Sequence, residues 1–118
     1  MGLIVCTVHA GGTARIGATA DLSTLDELLK KWRNRHGDML PVAVFDCDPA
    51  LFARVAQVPR LPITTTTARA AELLHRAPVL QDAMPAVLRC VRRLGPKAGP
   101  LLHEWRSAVD GLEVAACT

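Results

Sequence analysis

Two aspartates one residue apart, Asp46 and Asp48, are the side chains best spaced for chemistry. They close the run Val-Ala-Val-Phe-Asp-Cys-Asp-Pro at residues 42–49. Alternate residues of an extended chain point the same way, so both carboxylates would share one side. Such a pair can hold Mg²⁺, or divide into a general acid and a general base. Cys47 between them is a poor nucleophile, because negative neighbours disfavour its thiolate. The plainer reading, which we prefer, has Asp46 ending a buried strand and Asp48 capping a helix that Pro49 opens.

The second candidate is Gly12-Thr-Ala-Arg-Ile-Gly17-Ala18-Thr19. Its glycines have the spacing of a phosphate loop, G-x-x-x-x-G-K-[ST], whose backbone N–H groups cradle phosphates. Gly12, Arg15, Gly17 and Thr19 would be the ligand-binding positions. Ala18 stands where the loop's lysine belongs. With the strand at 42–49, this stretch resembles P-loop ATPases of the partition type, which carry an apolar strand ending in Asp-x-Asp-Pro. The resemblance implies a nucleotide and Mg²⁺ as cofactors. Phe45–Leu51 also resembles the first motif of haloacid-dehalogenase-type phosphatases, which implies Asp46 as nucleophile and Asp48 as general acid/base. Pro49 and Ala50 replace that motif's Gly-Thr pair, and Lys97 is the one lysine that follows.

The other titratable residues are less organised. Cys6 and His9 have a C-x-x-H spacing, but on one strand they face opposite sides. His36, His75 and His103 stand apart and read as surface or internally satisfied histidines. From Arg54 to Arg106 there are nine basic residues against three acids, Glu72, Asp82 and Glu104. Arg89, Arg92, Arg93 and Lys97 could present a face to an anionic partner. A net charge of +3 over 118 residues is too small to imply nucleic acid.

The elements that must position these groups are partly legible. Residues 13–20 alternate Ala14, Ile16, Ala18 and Ala20 against Thr13, Arg15, Gly17 and Thr19, the period of a half-buried strand. Leu3–Ala10 is apolar, and Gly11-Gly12 supplies the positive φ of a type I′ turn. A β-hairpin is therefore preferred over the phosphate loop. Ser23 and Asp26 form a capping-box-like pair opening a helix with Leu25, Leu28, Leu29 and Trp32 on one stripe, ended by Gly37. Leu40-Pro41 leads into the strand from Val42, read as central and buried on both faces. A short helix follows Pro49, a strand is expected at Ile63–Thr67, and a helix at 68–75 capped by Thr66 or Thr67. Asp82 would cap a helix to Leu94. Gly95–Pro100 breaks it, a helix spans Pro100–Val109, and Leu112–Cys117 could be a final strand.

Together these features predict a single α/β domain over residues 1–118, with a three- to five-stranded sheet, helices packed on it, and an opening hairpin then helix. Leu28, Trp32, Val44, Val87 and Trp105 are expected to be buried together. Four cysteines without a C-x-x-C pair suit a reducing cytoplasm. No apolar run has the length of a membrane span. The functional expectation is a non-enzymatic cytoplasmic binding or regulatory module, without cofactor, acting as a homodimer or with a protein partner. The alternative is a degenerate phosphate- or nucleotide-binding protein using Gly12–Thr19 and Asp46/Asp48.

Overall fold

The computed structural model describes residues 2–46, 61–74 and 80–117, with side chains for 2–42, 61–74 and 80–114. Four strands form one sheet: β1 (Leu3–His9), β2 (Thr13–Thr19), β3 (Met39–Asp46) and β4 (Ile63–Thr66). Every pairing is antiparallel, in the order β3-β1-β2-β4. The helices are α1 (Leu22–His36), α2 (Thr67–Leu74), α3 (Met84–Leu94) and α4 (Ala98–Cys117). They pack on both faces of the sheet in a single compact domain, with a Cα radius of gyration of 13.5 Å.

The opening hairpin forms, and both turn glycines have positive φ, 87° at Gly11 and 77° at Gly12. Its register corrects the expected two-residue turn. His9 pairs with Thr13, so the loop is Ala10-Gly11-Gly12, three residues long. The Gly12 carbonyl accepts from the Thr67 N–H at 2.8 Å, tying the loop to the start of α2. That start is capped as expected, with Thr66 Oγ1 accepting from the Arg69 N–H at 3.1 Å.

The central strand is β1, not the strand through Val42. All seven residues of β1 are buried, from Leu3 to His9. β3 lies at the end of the sheet, paired with β1. Its apolar composition reflects a helix packed against that edge. The register shifts opposite Cys6/Thr7, leaving Val42 as the extra residue of a bulge beside Pro41. A proline cannot donate to a ladder, so a bulged edge strand tolerates it. Because the sheet is antiparallel, the rule placing ligands beyond the carboxyl ends of parallel strands does not apply.

The core has two sides. Ile4, Cys6, Ala14 and Ile16 pack against Ala70, Leu73 and Leu74 of α2, with Trp105 of α4 beside them. Leu3, Val5 and Met39 pack against Leu25, Leu29 and Trp32 of α1 and Ala86 and Cys90 of α3. Leu28 and Val87 are partly buried in this second cluster. Trp32 and Trp105 are thus separated by the sheet rather than buried together, and Val44's side chain lies outside the described residues. Helix α3 straddles the β3 edge, sending Leu94 and Val91 into a third group with Val8, Leu40 and Leu101.

Three local expectations are corrected. The N-cap of α1 is Asp21, in a capping box with Thr24; Ser23 and Asp26 do not form it. Asp82 lies in a 3₁₀ turn, Gln81–Ala83, and α3 starts from Ala83 with no side-chain cap. Helix α4 runs through Gly111 to Cys117, so residues 112–117 are helical and not a strand. A glycine in an exposed helical turn costs only about 1 kcal/mol relative to alanine, which the rest of the helix overrides. The helix expected after Pro49, and His75, lie outside the described residues.

Candidate functional site

The sheet's α1 side carries a polar group built around Arg15 among its apolar residues. Thr7 and Arg15 are direct partners across the hairpin, and His9 is two residues beyond Thr7 on the same side. Thr7 is fully buried and His9 is 9% exposed. Thr7 Oγ1 and His9 Nε2 are 3.0 Å apart and share a hydrogen bond. Arg15 is half-buried and reaches the last turn of α1, where its Nη2 lies 3.0 Å from Nδ1 of His36. A guanidinium only donates, so His36 Nδ1 accepts and its proton sits on Nε2. The His9 and His36 rings meet edge-to-face at 6.3 Å. The Arg15 guanidinium lies 5.8 Å from the Trp32 ring centre, within cation–π range.

The electrostatics are one-sided. Burial, then Arg15, then His36 push the His9 pKa down to about 4. Desolvation, then Arg15 and Arg35, lower His36 as well. Burial, then Arg35, lower Arg15, which still stays charged. No carboxylate pairs with Arg15 or Arg35 among the described residues. Arg15 Nε is buried without a hydrogen-bond partner. An unsatisfied buried donor costs about 1–3 kcal/mol, more when charged, so this group is short of an acceptor.

The candidates read from the sequence scatter. Gly12 is in the hairpin loop and Thr13–Thr19 is strand, so no helix starts at Gly17 to receive a phosphate at its N-terminus. Gly17 is buried beneath Trp32. Thr19 Oγ1 forms a hydrogen bond with Thr24 Oγ1, joining β2 to the first turn of α1. Arg15 alone of the four enters the polar group. Asp46 ends β3 as expected, but its side chain, like all of Asp48, lies outside the described residues. Among the described residues no three of His, Cys, Asp and Glu gather as a metal site. Cys6 and His9 do face opposite sides, as the strand period requires.

The basic face is largely paired. Arg89 binds both oxygens of Asp26, at 2.7 and 2.9 Å, joining α3 to α1. Lys97 is 3.0 Å and Arg93 4.0 Å from Asp38. Arg92 is exposed and has no ion pair among the described residues. Thr7, His9 and His36 were the members sequence reasoning missed. The usable signal was the strand period, which places Thr7 and His9 on one side of β1.

A separate apolar cleft of about 630 Å³ runs between β3, α3 and α4. Leu40, Val42, Val87, Val91 and Trp105 line it, with Arg106, Asp110 and Glu113 at its α4 rim. No helix among the described residues is long and apolar enough to cross a membrane.

Comparison of the chain with protein families, curated proteins and solved structures found no match. The resemblances to two phosphate-handling families gain no support from it.

Proposed function

We propose that this chain is a small non-enzymatic binding module that takes an oxyanion, of phosphate or carboxylate type, at Arg15. The observation that carries this reading is the half-buried guanidinium that, among the described residues, has no acceptor for its Nε and no carboxylate partner. Guanidinium offers parallel N–H donors matched to two oxygens of one anion. The Arg35 charge acts on Arg15 and His36 lies 3.0 Å from its Nη2, so an anion held there would meet positive charge. The free thiols Cys6 and Cys90 support a cytoplasmic setting. Pairing of Arg89, Arg93 and Lys97 with acids supports a small ligand over a nucleic-acid backbone.

Calorimetric titration with inorganic phosphate and, separately, acetate tests the reading, with histidine ring NMR as a second readout. The wild type should bind at least one of the two, and binding should move the His9 and His36 titrations upward as the anion offsets Arg15. Arg15→Gln should lose binding, and Arg15→Lys should weaken it by removing the fork. If neither anion moves a histidine titration, Arg15 serves only to brace β2 against α1, and the proposal fails.

A further inference from the structure

The cleft between β3, α3 and α4 has a wall that complements itself. Along α4, Leu102, Trp105, Arg106, Val109, Asp110 and Glu113 all line it, at spacings of three and four residues. That spacing is one continuous helix stripe. Leu102, Trp105 and Val109 form its apolar edge and Arg106, Asp110 and Glu113 its charged edge, and it is open to solvent: Leu102 is 40% exposed, and Met84 across the cleft 37%. Its charges are unmixed along the axis, with the base nearer the N-terminal end and both acids nearer the C-terminal end. Arg106, Asp110 and Glu113 have no ion pair among the described residues.

We propose that a second copy of this chain covers the cleft, with the two α4 helices packed antiparallel about a two-fold axis near Val109. Antiparallel pairing about that point sets Arg106 opposite position 112 of the other copy. At 1.5 Å per residue, the other copy's Asp110 and Glu113 are then both within one helical turn of it. The same contact repeats by symmetry, as a two-fold interface requires. Leu102, Trp105 and Val109 supply the apolar edge of the contact, beside the charged one. A parallel arrangement would instead place like charges together. The charge order along α4 therefore selects both the occupant and its direction. This inference goes beyond the oxyanion site, which shares no lining residue with the cleft and does not depend on it.

The test is sedimentation equilibrium of the full chain over a concentration series, with circular dichroism to confirm folding. All three variants are exposed-surface changes. The wild type should be a dimer in reversible equilibrium with monomer. Arg106→Glu, and separately Glu113→Arg, should each weaken the dimer about tenfold or more, because each change places like charges together twice. The double variant, Arg106→Glu with Glu113→Arg, should regain most of that loss, while raised salt should weaken the wild type and the double variant alike. A wild type monomeric throughout the series overturns the proposal and leaves the cleft to a different protein's helix. A wild-type dimer that neither single change weakens overturns the antiparallel α4 register. So does a double variant no tighter than the singles.

Discussion

Gly17 and Trp32 leave no room between them for a methyl group. A Cβ built on Gly17 stands 2.6 Å from Trp32 Cη2, a separation that real Cβ contacts do not show. Gly17 is in the middle of β2 and Trp32 is one of the buried residues of α1, so this contact sets how closely helix and sheet approach. Gly17→Ala should destabilise the fold by about 1–3 kcal/mol, the usual cost of overpacking. Urea denaturation would measure it. A neutral result would mean that α1 can shift on the sheet. Trp32→Ala, at 4% exposure, should cost about 3–5 kcal/mol, but the pair of changes together should not add, since the first removes what the second clashes with.

The hairpin turn makes a different demand. Nothing lies within 4 Å of a Cβ at Gly11 or Gly12, yet both have left-handed φ. Substitution there meets backbone strain rather than crowding. Gly12→Val should lower stability by roughly 1–2 kcal/mol, and Gly12→Asn by clearly less, since asparagine tolerates that region. Equal losses for the two, measured by thermal melting, would point to a contact instead.

His9 should make the fold sensitive to mild acid. Its folded pKa, about 4, is below the ordinary 6.5. Between those values the unfolded chain binds a proton that the folded chain does not. Stability is therefore fully present above pH 6.5, falls as pH is lowered toward 4, and the loss amounts to at most about 3 kcal/mol. His9→Asn should flatten the slope over that window in a pH series of denaturation curves. An unchanged slope would assign the acid sensitivity to another group.

The bidentate Arg89–Asp26 contact joins two helices but is mostly in water, with side chains 57% and 61% exposed. A double-mutant cycle with Arg89→Ala and Asp26→Ala should give a coupling of about 0.2–1 kcal/mol that shrinks with added salt. A coupling well above that range would show the contact shielded from solvent in solution.

Local physics made much of this chain readable from its residues. Alternation at residues 13–19 with Gly11-Gly12 before it specifies a hairpin, because a period of two and two residues of positive φ are properties of neighbouring atoms. The Leu25–Leu29–Trp32 stripe specifies α1 for the same reason, and Gly37 ends it with φ 83°. What residue order left open was set by pairings between distant segments. The three-residue loop places Arg15 opposite Thr7, whereas a two-residue turn would have set it opposite Val8. A shift of one residue exchanges the faces of a strand, so that detail alone decides whether Arg15 meets His36. The Val42 strand looked central because it is apolar. Only the packing of α3 across it shows that a covered edge needs the same composition. Asp21 rather than Ser23 caps α1 because the chain leaving β2 already turns there, and Trp105 parts from Trp32 because α4 returns to the far side of the sheet. The sequence by itself determined the hairpin and the main helices through short-range sterics and periodicity. The tertiary structure decided the sheet order, the two-sided core and the Arg15 group, because each depends on which surfaces meet after the chain has folded back on itself.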